Sequence, residues 1–286
     1  MKKIICMIIV IFMLSSCGNA DIGNDNDKLS VVCTVFPAYD WIREISAGTE
    51  ISLYLIPSNG TDIHSYQPTA EDIIKITGCD LFVYSEGHEK GWYEDLSIKE
   101  KFNMSVFENH DEHVWLSLKC ANELTEKLTE KLSKLNPENE ERYNKNCKAY
   151  VQKLSALHDK YKATVEGSER KKIIVADRFP FSHMTDEYKI EAYSAFSGCS
   201  AESEVSFETI AFLSKKLSEL KLTSVITTED ADEKIARAVI SNSNNDNVKI
   251  LSLNSMQAVT EKDISEGMNY LSVMSSNLLV LEEALN

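Results

Sequence analysis

Residues 138 to 165 form a long segment without glycine or proline, mostly polar and charged, with Tyr143, Tyr150, Val151, Leu154, Leu157 and Tyr161 among its apolar positions. With no helix breaker inside it, the segment predicts one helix, about 40 Å long at ~1.5 Å per residue. It is either a surface helix or a rigid strut between two lobes. What lies on either side bears on that choice, because the same alternation of short strand-like runs with helical spacing occurs before it and again after it.

Before the long helix, the β-branched run at 29–36 reads as a buried strand ended by Pro37, and Tyr39, Ile42 and Ile45 then carry helical spacing. A second strand at 51–56 leads into the turn Pro57-Ser58-Asn59-Gly60. Thr69 is placed to cap a helix at 70–77 whose first turn holds Glu71 and Asp72. Strands at 80–84 and 104–107, with a short helix at 92–96 between them, and a helix at 117–135 complete this half. After the long helix, strands are predicted at 172–175, 190–193, 224–227 and 249–253, and helices at 207–220, at 231–241 and from about Asp263 onward. Strands alternating with helices predict parallel sheets and an α/β fold.

The N-terminus reads as an address. Lys2 and Lys3 precede an apolar run from Ile4 to Leu14, too short to span a bilayer, and Leu14-Ser15-Ser16-Cys17 resembles a bacterial lipobox in which Cys17 is lipidated. The small, polar residues that follow read as a tether. The chain carries a formal charge of −15, more negative still without Lys2 and Lys3, which argues against nucleic acid as a partner. Beyond Cys6 and Cys17, five cysteines remain, Cys33, Cys79, Cys120, Cys147 and Cys199, with no zinc-thiolate spacing. Cys33 and Cys79 read as buried small hydrophobes; a disulfide is possible and not implied.

Two imidazoles stand out by position. His64 and His113 each sit in a loop that follows a strand, and open α/β sheets place ligands at the carboxyl ends of their strands. His110 is read as an exposed neighbour. In the second half, acidic or amide side chains sit just past the strands: Asp177, Glu202, Glu204, Glu229, Asn254 and Gln257. Two imidazoles with one or two carboxylates make a site for a divalent transition metal if the strand ends of the two halves face each other.

Four segments together resemble the metal-binding solute-binding proteins of bacterial ABC transporters, the zinc/manganese (ZnuA/TroA-like) group: 34–41 (Thr-Val-Phe-Pro-Ala-Tyr-Asp-Trp), 60–69 (Gly-Thr-Asp-Ile-His-Ser-Tyr-Gln-Pro-Thr), 113–117 (His-Val-Trp-Leu-Ser) and 270–277 (Tyr-Leu-Ser-Val-Met-Ser-Ser-Asn). The resemblance implies an α/β fold of two lobes, each a mostly parallel sheet flanked by helices, joined by one long helix. On this chain that divides into a lipoprotein signal peptide at 1–16, a tether at 17–28, an N-terminal lobe at 29–136, a linking helix at 137–168 and a C-terminal lobe at 169–286.

The resemblance also implies a buried metal in the cleft, with His64 and His113 as first-lobe ligands. The second lobe departs from the family's pattern. Ala176 stands where many relatives have a histidine, Glu202 matches the glutamate of manganese-type relatives, and the region of the fourth ligand, around Asn254, offers only amides. Asp177, Glu204 and Glu229 are substitutes, although Arg178 can instead neutralise one of these carboxylates. The implied function is extracytoplasmic capture of Zn²⁺, favoured over Mn²⁺, by a membrane-anchored monomer that delivers the ion to an ABC permease and is not an enzyme. Two other functions are weighed against it. An extracellular zinc-dependent hydrolase is disfavoured because no HExxH motif is present. A surface adhesin is suggested by related lipoproteins described that way.

Overall fold

The computed structural model describes residues 28–61, 65–85, 93, 95–105, 111–198, 204–229, 231–245 and 247–286. The first lobe runs β1 (Leu29–Cys33), α1 (Phe36–Ile45), β2 (Ile51–Leu55), α2 (Ala70–Gly78), β3 (Leu81–Tyr84), β4 (Lys101–Asn103) and α3 (Leu118–Leu135). Its strands are all parallel, in the order β2-β1-β3-β4. The linking helix is α4 (Glu140–Gly167). The second lobe runs β5 (Lys172–Val175), α5 (Ser182–Tyr188), β6 (Glu191–Ser194), α6 (Phe207–Glu219), β7 (Ser224–Thr228), α7 (Lys234–Ser241), β8 (Lys249–Leu253), α8 (Glu261–Ser265) and α9 (Tyr270–Leu285). It repeats the parallel arrangement in the order β6-β5-β7-β8. Two parallel sheets flanked by helices and linked by a long helix are the architecture read from the sequence.

Local chemistry accounts for most boundaries. Thr69 caps α2 reciprocally with Asp72, and Thr260 and Asn269 do the same for α8 and α9 with Asp263 and Ser272. The last helix predicted from the sequence is two helices, because Gly267, at φ +97°, breaks the chain between α8 and α9. A short strand at Lys101–Asn103 pairs with β3, Phe82 opposite Lys101 and Tyr84 opposite Asn103; of the strand expected at 104–107, residues 106 and 107 lie outside the described residues. Met104 follows as a fully buried residue. Cys33 and Cys79 are both buried free thiols. Cys33 lies opposite Val83 in the sheet, four residues beyond Cys79, which separates the two sulfurs.

The linking helix is neither a plain surface helix nor a bare strut. Tyr143, Cys147, Tyr150, Leu154, Leu157, Tyr161 and Val165, three or four residues apart, form a buried stripe along α4. One continuous apolar core holds that stripe, Cys147 aside, together with Val31 and Trp41 of the first lobe and Ile173, Val175 and Leu281 of the second. The C-terminal helix is a second cross-lobe element. At its start the Tyr270 N–H donates to Asp40 Oδ2 of α1 (2.8 Å), and Trp41 packs edge-on against the Tyr270 ring at 5.2 Å.

Asp40 is fully buried and also pairs with Arg43. Burial pushes its carboxyl up to about 6, against the opposing pull of the Tyr270 N–H and Arg43. A carboxyl raised on folding contributes stability at low pH that is lost as pH rises through the folded value. Asp40→Ala, which leaves the Tyr270 N–H without its acceptor, is expected to cost about 1–3 kcal/mol in urea unfolding. Asp40→Asn is expected to show a penalty that shrinks as pH rises from about 4 to about 6.

Candidate metal centre

Both sheets present their strand ends to one cleft. A cavity of about 520 Å³ is lined by Gly60 of the first lobe and by Ala176, Asp177, Arg178, Glu229 and Gln257 of the second. Gly60 adopts φ +77°, and a Cβ there would lie 2.9 Å from Thr260 Cγ2, so both conformation and space call for glycine. The stretch leading to it is pinned across the cleft. Asn59 bridges to Thr260, the Glu261 N–H donates to Ser58 O (2.9 Å), and Ser58 Oγ donates to Glu261 Oε1 (2.9 Å).

His113 sits at the head of a short 3-10 turn, Val114–Leu116, and is 1% exposed. Asp111 Oδ1 accepts both its backbone N–H (2.9 Å) and its Nδ1–H (2.6 Å). Burial alone would raise the Asp111 carboxyl, but the hydrogen bonds and charge of His113 and the Ser182 hydroxyl hold it below the usual carboxylate range. An ionised Asp111 fixes the tautomer: Nδ1 carries the proton and Nε2 presents a lone pair. Nε2 meets the Gln257 side-chain amide at 2.7 Å, across the cleft. The turn is held from the second lobe as well. Trp115 Nε1 donates to Ser255 O (2.9 Å), and the Tyr270 hydroxyl donates to Trp115 O (2.6 Å).

Asp111, Glu112 and His113 bring potential ligand atoms within 4.8 Å of one another. Their roles differ. Asp111 occupies the orienting position behind the ring, as the outer partner of a metal-binding histidine does. Nε2 is the atom turned toward Gln257, which lines the cavity.

The second-lobe oxygens are largely occupied in fastening loops. Asp177 accepts from the Arg178 N–H (2.8 Å), the Thr228 N–H (3.1 Å) and the Thr228 hydroxyl, which ties the end of β5 to the end of β7. Glu229 grips Ser255 through both oxygens, at 2.8 Å to its N–H and 2.8 Å to its hydroxyl. Asn254 Oδ1 accepts from the Met256 N–H (2.8 Å), while buried Asn277 of α9 holds the Asn254 backbone on both sides. These bonds shape the loop that carries Met256 through φ +63° and aims Gln257 at His113. Gln257 was one amide among six candidate oxygens in the sequence, and only its approach to Nε2 sets it apart. Glu204 is exposed ahead of α6. His64, His110, Glu202 and Cys17 lie outside the described residues.

The sequence profile described as "ZnuA: Zinc-uptake complex component A periplasmic" matches residues 31–284. The chain belongs to this family. It is 29% identical to the zinc-binding lipoprotein AdcA of Streptococcus pneumoniae (serotype 4), in a match covering 99% of this chain and 61% of AdcA. The chain thus spans about three-fifths of that relative's length. It is 27% identical to the high-affinity zinc uptake system protein ZnuA of Bacillus subtilis, covering 96% and 94% of the two chains. Among solved structures, the Zn(II)-bound ZnuA-like domain of S. pneumoniae AdcA superposes with a TM-score of 0.76 at 27% identity, covering 90% of this chain and 99% of that one.

The family match and the Asp111, Glu112 and His113 cluster together give this chain a candidate Asp/Glu/His metal site. If Asp111 orients His113, Asp111→Asn is expected to weaken metal binding by about 10–100-fold in a competition titration against a chelating dye. Because the Asp111 carboxyl is depressed, its stabilising contribution is present above the ordinary aspartate range and lost as pH falls through the folded value. The stability gap between wild type and Asp111→Asn is expected to close below about pH 4 in acid unfolding.

Proposed function

We propose that this protein captures a divalent transition metal outside the cytoplasm and hands it to the permease of an ABC transporter, with zinc preferred over manganese. The observation that carries the reading is His113: its Nδ1 is locked on Asp111, and its Nε2 lone pair is turned across the cleft to Gln257 at 2.7 Å. In this reading His113 Nε2 and His64 are the nitrogen donors, and Glu202 supplies a carboxylate. The Gln257 amide, turned to present its oxygen, is the donor nearest to His113 from the second lobe. Asp177, Glu229 and Asn254 take supporting parts, since their oxygens already hold Thr228, Ser255 and Met256.

Nitrogen donors suit zinc, and the Irving–Williams order places zinc well above manganese at such a site. The zinc-binding names of the AdcA and ZnuA relatives point the same way. The N-terminal segment completes the reading: a leader at 1–16, lipidation of Cys17, and a tether at 17–28 that holds the lobes 29–136 and 169–286 and their linker 137–168 at the membrane surface as a monomer. One acyl-modified cysteine with two or more chains gives stable anchoring.

Calorimetry on metal-stripped protein tests the ligand assignment. His113→Ala and His64→Ala are each expected to weaken Zn²⁺ binding by at least about 100-fold, two to three kcal/mol or more. Binding as tight as wild type in either variant refutes that residue's assignment. Each imidazole must give up its proton to coordinate, so affinity is expected to fall as pH decreases. In direct competition, zinc is expected to displace manganese at equal concentration; the reverse order would overturn the metal preference.

A further inference from the structure

The short helix α5 brackets the His113 segment from the opposite lobe. At its N-terminal end the Ser182 hydroxyl donates to Asp111 Oδ2, and His183 Nε2 lies 2.7 Å from Asp111 O. At its C-terminal end Glu187 Oε1 accepts the Lys119 N–H (3.3 Å) in the first turn of α3, immediately beyond the 3-10 turn that His113 opens. The whole stretch from Asp111 to Lys119 is thus gripped at both ends by one helix of seven residues. His113 sits between the two grips.

Glu187 is the unusual member. Its side chain is 9% exposed, its Oε1 stands 2.7 Å from His158 Nδ1 of the linking helix, and its second oxygen, Oε2, is buried with no hydrogen-bond partner among the described residues. A half-satisfied buried carboxylate is costly and is tolerated where it does something that an apolar residue cannot. Here it joins three helices at one point: α3 through Lys119, α4 through His158, and its own α5. Tyr188, next along α5, adds a contact to the same His158 nitrogen at 3.1 Å and stacks on Tyr161 of α4.

We infer that Glu187, held by His158, is a positioning residue for the metal site: it anchors α5 against α3 and α4 so that Asp111 and His113 keep the geometry that turns Nε2 into the cleft. The inference rests on the reading of His113 Nε2 as a ligand. It adds that the precision of that ligand is set on the far side of the turn, by a residue that never touches the metal. Spatial continuity alone does not establish coupling, so the test measures it at both ends.

The experiment compares wild type, Glu187→Ala and Glu187→Gln in three readouts: Zn²⁺ affinity, urea unfolding, and the ¹⁵N resonances of the His113 ring in metal-free protein. Glu187→Ala is expected to weaken zinc binding by about tenfold, at the low end of the range for groups behind a ligand, and to shift the ring from a single Nδ1–H tautomer toward a mixture. Glu187→Gln keeps an acceptor for the Lys119 N–H and is expected to restore both to near wild type. If Glu187→Ala does not fold, His158→Ala, on the more exposed side of the pair, replaces it with the same expectations. The inference is overturned if the alanine variant lowers only the unfolding free energy and leaves affinity and ring tautomer unchanged. Should wild type itself fail to bind zinc, the metal reading falls, while the ring spectrum of the metal-free protein still decides the positioning role.

Discussion

One apolar core shared by both lobes is the constraint on which the rest depends. The buried stripe of α4 packs against α1, α3 and α9 and joins part of each sheet in one core, while each lobe keeps a smaller apolar cluster of its own. Shifting one lobe against the other would tear side chains such as Trp41, Tyr161 and Tyr270 from close packing, at a cost of several kcal/mol for each large side chain exposed. Two lobes joined this way hold the cleft between them at nearly fixed width. Under the proposed function, the ligand geometry must therefore be right before an ion arrives, and adjustment is left to loops and side chains rather than to a hinge.

That demand explains how much structure stands behind a single imidazole. His113 is fixed by Asp111 on its own loop, and the next turn by Ser255 and Tyr270 of the other lobe. A neutral imidazole in the wrong tautomer offers a proton where a lone pair is needed, so the Asp111 bond matters as much as the ring. The loop that carries Gln257 is shaped with equal care: Glu229 holds Ser255, Asn254 closes on Met256, and Asn277 fastens Asn254 to α9. Carboxylates just past the strands, which look like ligands in the sequence, here also satisfy the backbone N–H groups that a sharp loop leaves exposed.

The two-lobe α/β plan was legible because it rests on local rules. Alternating strand runs and helical spacing, a segment without breakers, and caps such as Thr69 report on their own surroundings. The misplacements have equally physical causes. Lys101–Asn103 was not legible as a strand in the sequence, and its pairing with β3 makes it one. Gly267 at positive φ divided what its flanking apolar spacing presented as one helix. The part played by α9 as a second tie between the lobes was not legible, since nothing in residues 270–285 announces that Tyr270 meets Asp40.

By itself the sequence determined the element types, the parallel sheets, the long linking helix, and the identity of an imidazole waiting in a loop beyond a strand, because periodicity, capping and turn chemistry act over a few residues. Only the tertiary structure decided that Gln257 rather than Asn254 faces that imidazole and that α5 braces the Asp111 behind it. Those choices join His113 to Gln257 across 144 positions and Ser182 to Asp111 across 71. Hydrogen bonds over such separations exist only once the shared core has brought the two lobes face to face, so no local pattern in the chain encodes them.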